Sequence, residues 1–318
     1  MKKSLGGCAQ PLWIAASVLA AGVGLSACGG GGGGDGGMPL LPAIPSAPAP
    51  VANAPSPAPA PAPVPGPNRD PVPGSEPLPS LSAPQPGSTA EAGNDSEGIY
   101  LSLLDLALVG ADGSIASRDA IGTLWGSIKV TGLDWSFNPD TEYYFIDASP
   151  VTGSGTFSPK KSMSGTYTYG THGPSTFGPM YYAAENALAV TQDSVVGQWA
   201  NTDSNFGVGV SIDVDATGAF TGTTAGVQVG NCRISGTLAQ AQPGTSKNMY
   251  GLRFTAVNAS DDSKGACKLV TSLPYSGPAA ILLMPAGTFD SNGYFRSVFF
   301  MARTATGATL TAGLRKQS

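Results

Sequence analysis

The chain contains one histidine, His172, and this limits its acid–base and metal chemistry. Zinc centres of the His₃ or His₂-carboxylate type need at least two histidines and are excluded. A Ser-His-Asp triad needs only one, but His172 lies in a Gly/Pro-rich segment and the chain has no G-x-S-x-G nucleophile elbow. We therefore expect a solvated loop histidine and a protein that is not an enzyme.

Two groups of acidic residues are candidates for calcium binding or acid–base chemistry. The run D-x-D-x-T-G at 213–218 resembles the start of a calcium loop, but Thr224 occupies the position of the closing carboxylate. Because the preceding residues alternate as a strand, a hairpin turn is favoured there. The second group flanks the turn at 137–140 and is expected to be solvated: Asp134, Asp140, Glu142 and Asp147. We predict no metal or cofactor site.

The amino terminus has the layout of a secretory signal that ends at a cysteine. Two lysines precede an apolar run at 11–25, which is shorter than the roughly 20 residues of a membrane span. The run ends in Leu-Ser-Ala-Cys, which resembles the bacterial lipobox. In that motif the thiol is acylated, the signal (here 1–27) is removed, and the new amino terminus is acylated too. The pattern predicts a lipid anchor at Cys28, because several acyl chains hold a bilayer firmly.

Gly29 follows the predicted anchor and bears on localisation. An aspartate there would resemble the inner-membrane retention signal of Gram-negative bacteria, so glycine favours the outer membrane. We expect a lipid-anchored outer-membrane protein, and its periplasmic or surface-facing side is left open. The alternative is an ordinary signal peptide with a chance cysteine.

The net charge disfavours two classes of binding partner, and the remaining cysteines indicate a disulfide. Without the signal, 14 basic and 21 acidic residues remain, a net charge of −7 with no basic cluster. This argues against nucleic acid and against a polybasic membrane patch. Cys232 and Cys267 are left as an isolated pair in an exported protein, which favours a disulfide over free thiols or a metal pair.

Composition divides the rest of the chain into a spacer and a β-rich region. Residues 29–37 are nearly pure glycine, and 39–86 hold 18 of the 28 prolines. Such a segment builds no packed core, so 28–96 is predicted to be a disordered tether. Fully extended, it would reach on the order of 200 Å.

From residue 97 onward the signals are those of an all-β fold. Short runs rich in Val, Ile, Thr, Tyr and Phe alternate with turn signals, which predicts an antiparallel barrel-like or sandwich domain. Only the segment 115–121 suggests a helical turn. A weak Ser-Gly-Thr echo suggests two β halves, 97–190 and 191–318. The strongest strand runs are 142–149, 162–170, 207–215, 231–240, 248–257 and 294–303.

Aromatic residues occur as neighbouring pairs within these runs, as in Tyr143-Tyr144, Tyr181-Tyr182 and Phe299-Phe300. Neighbours in a strand point to opposite faces, so one of each pair can pack in the core while the other lines a binding surface. Three tryptophans are expected in the core: Trp125, Trp135 and Trp199.

The second half carries short motifs in a characteristic order, including "VVGQW", "IDVDATGAFTG", "NCRISGTL", "SKNMYGLRFT" and "FRSVFFMAR". This order resembles a broad group of proteobacterial outer-membrane lipoproteins in which a Gly/Pro-rich tether carries a β-rich domain. The architecture is distantly similar to the transferrin-binding-protein type of surface lipoprotein, whose compact β-barrels bind host proteins. The resemblance implies a display or binding role and no transferable activity.

These observations favour a lipid-anchored, non-enzymatic binding or structural module of the cell envelope. Its partner would be a protein, a glycan or a small hydrophobic ligand. The alternative is a barrel-type inhibitor of an envelope or host protease or lysozyme, and a hydrolase is less well supported. A deep apolar cavity inside the barrel would favour ligand carriage, whereas a filled core with a protruding loop would favour protein binding or inhibition.

The lipid anchor can be tested with a globomycin-type inhibitor of signal cleavage. We expect the precursor that retains residues 1–27 to accumulate in treated cells, because lipobox signals are cut only by the blocked route. Gel mobility and mass spectrometry distinguish precursor from mature chain. Normal processing in the presence of the inhibitor, without acylation of Cys28, would rule out the anchor.

Overall fold

The computed structural model describes residues 72–145, 147–201, 208–259, 265–286 and 292–317. The predicted signal, Cys28 and the larger part of the predicted tether lie outside these residues. Within the described ranges no helix has the length and apolar character needed to cross a membrane. The described chain is almost entirely β-structure, which confirms the predicted all-β antiparallel fold, and it forms two eight-stranded barrels.

The first barrel is an antiparallel meander of nine strands that occupy eight positions in the ring. Its strands are β1 (Gly98–Leu101), β2 (Leu106–Val109), β3 (Ser114–Arg118), β4 (Thr123–Thr131), β5 (Asp134–Phe137), β6 (Glu142–Tyr144), β7 (Ala148–Ser158), β8 (Ser162–Tyr169) and β9 (Ser175–Tyr182). Strands β5 and β6 share one position in the ring, because both pair with β4 on one side and with β7 on the other. Pairing of β1 with β9 closes the barrel.

The second barrel has the same meander topology. Its strands are β10 (Gly197–Asn201), β11 (Gly209–Val214), β12 (Ala219–Ala225), β13 (Cys232–Gln240), β14 (Tyr250–Asn258), β15 (Tyr275–Pro285), β16 (Tyr294–Arg303) and β17 (Thr309–Lys316). Pairing of β10 with β17 closes it. Two short 3₁₀ turns, Ala184–Ala187 and Gln192–Val195, lie between the barrels along the chain.

Alternation along the strands fills both barrels with side chains. On β11, Val210, Ile212 and Val214 are buried while Ser211 and Asp213 are exposed, as the sequence predicts for a half-buried strand. Trp199 and Trp135 are buried in the cores of the second and first barrels. Closure gives every strand two neighbours, so the inward side chains pack against each other in the barrel cores.

The segment 115–121 is not a helical turn, and the expectation from the sequence is wrong here. Residues up to Arg118 form β3, with Ile115 in the first barrel's core and Ala116 on its outer face. The Asp119 carboxylate accepts hydrogen bonds from the backbone N–H groups two and three residues ahead, at 2.8 and 2.6 Å. This side-chain turn ends the strand and offers the backbone an alternative to a helix.

Packing begins earlier in the chain than the composition suggests. Glu76, in the proline-rich part of the predicted tether, pairs its backbone N–H and C=O with Tyr294 at 2.9 and 2.8 Å. Its carboxylate forms a bidentate ion pair with Arg296. A short helix, α1 (Thr89–Ala92), follows, and the Thr89 hydroxyl accepts the backbone N–H of Asn248 at 3.0 Å. A few specific polar contacts therefore hold a segment whose average composition is that of a spacer.

The outer faces of the two barrels meet in an apolar contact that we call the seam. Its buried members are Ile99, Leu108, Ala116, Trp125, Ala183, Ala280, Leu282 and Met301. Arg303 borders the seam, with its guanidinium 5.5 Å from the Trp125 ring centroid and 5.6 Å from that of Tyr144. It also pairs with the Glu142 carboxylate at 3.3 Å. Stacking of Arg303 on these two aromatic rings thus continues the contact between the barrels at the border of the seam.

Two buried asparagines supply hydrogen bonds beside the seam where a neighbouring strand stops. Asn186 accepts the N–H of Ile99 and donates to its C=O, both at 2.8 Å, next to the end of β9. Asn248 does the same for Ile281, at 2.9 and 2.8 Å, just before β14 begins. Each side-chain amide replaces the backbone of an absent strand residue, so these buried groups stay paired.

The corresponding ends of the two barrels lie on the same side of the molecule, as one contact at each end shows. At one end, Glu97 before β1 pairs with Lys247 in the β13–β14 connection. At the other, Gly307 in the β16–β17 connection lies against the ring of Tyr144 at the end of β6. We call the first of these the proximal end, because the segment that precedes the first barrel also lies there, where Glu76 pairs with Tyr294 at the start of β16. The opposite end is the distal end.

Asn248→Ala tests the importance of this amide. The substitution leaves the Ile281 backbone without its partner and should lower the free energy of unfolding by about 2–5 kcal/mol. Urea denaturation followed by circular dichroism measures the change. The exposed Thr221 on β12 provides a control, since Thr221→Ala should alter stability by less than about 0.5 kcal/mol. Equal effects of the two substitutions would contradict this role.

Candidate functional site

The distal end carries a concentration of exposed apolar side chains. Of the six most exposed large hydrophobic residues in the described part of the chain, five lie in its loops, and the sixth is Tyr181 on β9. The five range from 57% exposed for Phe145 to 96% for Leu103: Leu103, Leu104, Ile121, Phe145 and Val227. Single exposed hydrophobic residues are ordinary, whereas several at one end of a protein form a candidate interaction surface.

Four of these residues surround the open distal end of the first barrel, which we call the mouth. The mouth is formed by the loops 102–105, 119–122 and 170–174, together with residues 145 and 147. They contain three aspartates and no lysine or arginine. The rim of the mouth is therefore both apolar and acidic.

The inner wall of the mouth differs between its two sides. On the β2–β3 side it presents Asp105, Ser117 and Asp119. On the β6, β8 and β9 side it presents aromatic rings: Tyr143, Tyr167 and Phe177. Between the two sides is a small open cavity of about 40 Å³. An acidic wall thus faces an aromatic wall across a space the size of a small polar group.

Hydrogen bonds hold the two carboxylates of the acidic wall in position. Asp119 accepts the Tyr143 hydroxyl at 2.8 Å in addition to its own turn N–H groups. Asp105 accepts the Ser102 hydroxyl at 2.8 Å. Neither carboxylate forms an ion pair with a lysine or arginine of the described residues. Arg118, next to Asp119, is exposed.

Ring contacts fix the aromatic wall. Tyr143 and Tyr169 have centroids 4.5 Å apart, and Tyr167 lies 5.9 Å from Tyr169 and 6.2 Å from Phe177. His172 stacks on Tyr169 at 4.5 Å and is exposed, as expected for a solvated loop residue. Burial, followed by the negative charge of Asp119, raises the pKa of Tyr167 to about 12, with smaller contributions from Tyr169 and Asp105. The two walls are therefore close enough to interact electrostatically.

A second, larger cavity of about 430 Å³ lies between the barrels toward the proximal end. Glu97 and Lys247 lie on its wall and pair with each other at 2.5 Å, so their charges are already mutually compensated. Met249 and Pro278 contribute apolar surface. This cleft has the volume of a small-molecule site, but Glu97 and Lys247 pair with each other between the two barrels, and the Asp112 carboxylate accepts hydrogen bonds from Ser114 in its own turn.

The acidic residues singled out in the sequence do not converge in the structure. Asp134 begins β5, Asp140 accepts the Ser127 hydroxyl, and Glu142 pairs with Arg303 beside the seam. In the calcium-like run, Asp215 accepts hydrogen bonds from the N–H and hydroxyl of Thr217, which makes the segment a hairpin turn. These carboxylates serve turns and the seam, and Asp147 is exposed at the rim of the mouth, so the four acidic residues form no shared site.

The cysteines and aromatic residues lie as follows. Cys232 and Cys267 form the predicted disulfide at the distal end of the second barrel, and Cys28 lies outside the described residues. In each aromatic pair the two neighbours face opposite ways: Tyr143, Tyr182 and Phe300 are in barrel cores, while Tyr144, Tyr181 and Phe299 face outward. Trp135 and Trp199 are in the cores, but Trp125 packs in the seam.

The sequence alone did not point to the acidic wall of the mouth. Asp105 and Asp119 lie in two separate turns fourteen residues apart, and nothing in their spacing connects them. One available signal was the pair Leu103-Leu104, two large apolar residues inside a turn where polar residues are usual. Barrel closure brings the two turns onto one rim.

Comparison with known proteins adds no family to these observations, because no protein-family model, curated protein or solved structure matches the chain.

Asp119→Asn tests whether the two walls interact. Removing one negative charge should lower the pKa of Tyr167 from about 12, while burial, the larger cause, keeps it above the ordinary value. A pH titration of ¹³C-labelled tyrosine by NMR measures the change. Asp134→Asn, an equal change of charge at the proximal end of β5, should leave Tyr167 unaffected. An unchanged pKa in the Asp119 variant would show that the carboxylate does not act on the ring.

Proposed function

We propose that this protein is a lipid-anchored, non-enzymatic binding module of the outer membrane that holds a partner protein at its distal end. The observation that carries the proposal is the group of exposed apolar residues on the distal loops, with Leu103 and Leu104 at the tip of the β1–β2 hairpin. Burial of such residues is the main source of affinity in protein–protein contacts.

The point where the chain enters the described structure supports this orientation. Residues 28–71 would connect the acylated Cys28 to Val72, and the segment after Val72 is held at the proximal end through Glu76 and Arg296. The distal loops then face away from the anchored end. A spacer of this length would reach about 140 Å when extended, which is enough to present the distal end clear of a bilayer.

The filled barrels favour a protein partner over a carried small ligand. Both interiors are packed with buried side chains, with Trp199 and Phe254 in one and Trp135 and Phe157 in the other. A lipocalin-like carrier needs an open interior large enough for its ligand. The apolar surface available for binding is therefore on the loops.

Site-specific photo-crosslinking in intact cells tests the proposal. A photo-reactive amino acid in place of Leu103 should give a discrete cross-linked species, because this side chain would be buried in the complex. The same amino acid in place of the exposed Thr221, on the outer face of the second barrel, is the matched control and should give none. Products are compared on gels after affinity isolation of the mature chain.

A substitution at the rim of the mouth tests whether the cross-link depends on this apolar surface. Ile121→Ser in the Leu103-labelled protein should reduce the cross-linked species at least fivefold, because it removes apolar contact area from the same surface. Cross-links that arise equally from positions 103 and 221, or that are insensitive to Ile121→Ser, would overturn the proposal. So would the absence of any product from position 103.

A further inference from the structure

We infer that the mouth of the first barrel is a binding site for an organic cation, the ammonium or guanidinium group of a lysine or arginine side chain on the partner protein. This inference rests on the proposed function, since it assigns the chemistry of the partner. It is carried by the acidic wall that faces an aromatic wall across a cavity of about 40 Å³.

The negative charges of the mouth favour the binding of a positively charged group. Asp105 and Asp119 both line the cavity, and neither has a basic partner among the described residues. Among the described residues, the Asp105 carboxylate accepts a hydrogen bond from the Ser102 hydroxyl alone, so it keeps free acceptor positions. Carboxylates that are partly removed from water and lack a counter-ion are stabilised by a cation that enters between them.

The aromatic wall selects an organic cation. Cations bind to ring faces within about 6 Å of the centroid, and an arginine also stacks on them. Tyr143, Tyr167 and Phe177 provide such rings on one side of the cavity, and Tyr169 contacts the rings of Tyr143 and Tyr167. No group of three or more metal-ligating side chains occurs among the described residues, which disfavours a metal ion as the occupant.

The rim indicates that a polypeptide carries the cation. Leu104 adjoins Asp105, and Ile121 lies two residues after Asp119, so exposed apolar side chains flank both carboxylates. Arginine is one of the residues enriched at protein–protein hot spots, where surrounding contacts exclude water from it. The loops of the mouth hold three aspartates and no lysine or arginine, which complements a basic partner segment.

A peptide titration tests the inference on the full mature chain with ¹³C-labelled tyrosine. The probe is N-acetyl-Leu-Arg-Leu amide, and the comparison is the same peptide with neutral citrulline in place of arginine. The arginine peptide should shift the signals of Tyr143, Tyr167 and Tyr169 saturably, and the citrulline peptide should bind at least tenfold more weakly. Equal binding of the two peptides, or no shift of these tyrosines, would overturn the inference.

Variants of the carboxylates give a second measurement. Asp105→Asn and Asp119→Asn should each weaken the arginine peptide about tenfold, while Asp134→Asn, far from the mouth, should not. Because Asp119 also holds its turn, Asp105→Asn serves as the deciding variant if Asp119→Asn lowers the melting temperature. Unchanged affinity in a folded Asp105 variant, or displacement of the peptide by millimolar Ca²⁺, would contradict an organic-cation site.

The two proposals can fail separately. If Ile121→Ser removes the cellular cross-link from position 103 and Asp105→Asn leaves it intact, the distal end binds a protein without the cation contact. If neither variant affects the cross-link while the arginine peptide still binds, the mouth is a cation site that is not part of the proposed interface, and the inference about the partner fails.

Discussion

The buried amides of Asn186 and Asn248 satisfy the backbone beside the seam, and the arrangement of the two barrels depends on this. A closed barrel has no free edge, so the barrels can associate only through their outer faces, where backbone groups left by a short strand would be costly to bury. Each amide completes one edge next to the apolar cluster. The apolar residues of the seam can then be buried without leaving unpaired groups.

Alignment of the barrels gives the protein two different ends. The proximal end is occupied by contacts within the chain, such as the Glu97–Lys247 pair and the Glu76 strand contact. At the distal end, by contrast, the large apolar side chains of the loops are exposed. There the Asp105 and Asp119 carboxylates lack basic partners among the described residues. The physical difference between the ends, rather than any single residue, is the basis for assigning recognition to the distal loops.

Local pattern indicated the β class and six strand runs, whereas the described residues form seventeen strands; one run, 142–149, is divided between β6 and the start of β7. β13 and β16 coincide within a residue with the β-rich runs of the sequence: buried and exposed residues alternate along β13, whereas β16 was marked by its β-branched and aromatic residues. The segment at β3 suggested a helical turn, since its inward and seam-facing residues are both buried and so no alternation is visible. The contacts of Glu76 escaped prediction because a proline-rich average hides a single well-placed carboxylate.

The sequence by itself determined the all-β class, the pairing of the two remaining cysteines, the opposite faces of neighbouring aromatic residues and the exclusion of histidine-based metal centres. These follow from residue type and short-range periodicity, which are properties of the chain before it folds. Only the tertiary structure decided that Asp105, Asp119 and the tyrosines of β6 and β8 share one mouth. Barrel closure determines which turns become neighbours, and that pairing joins residues too distant in sequence to leave a local pattern.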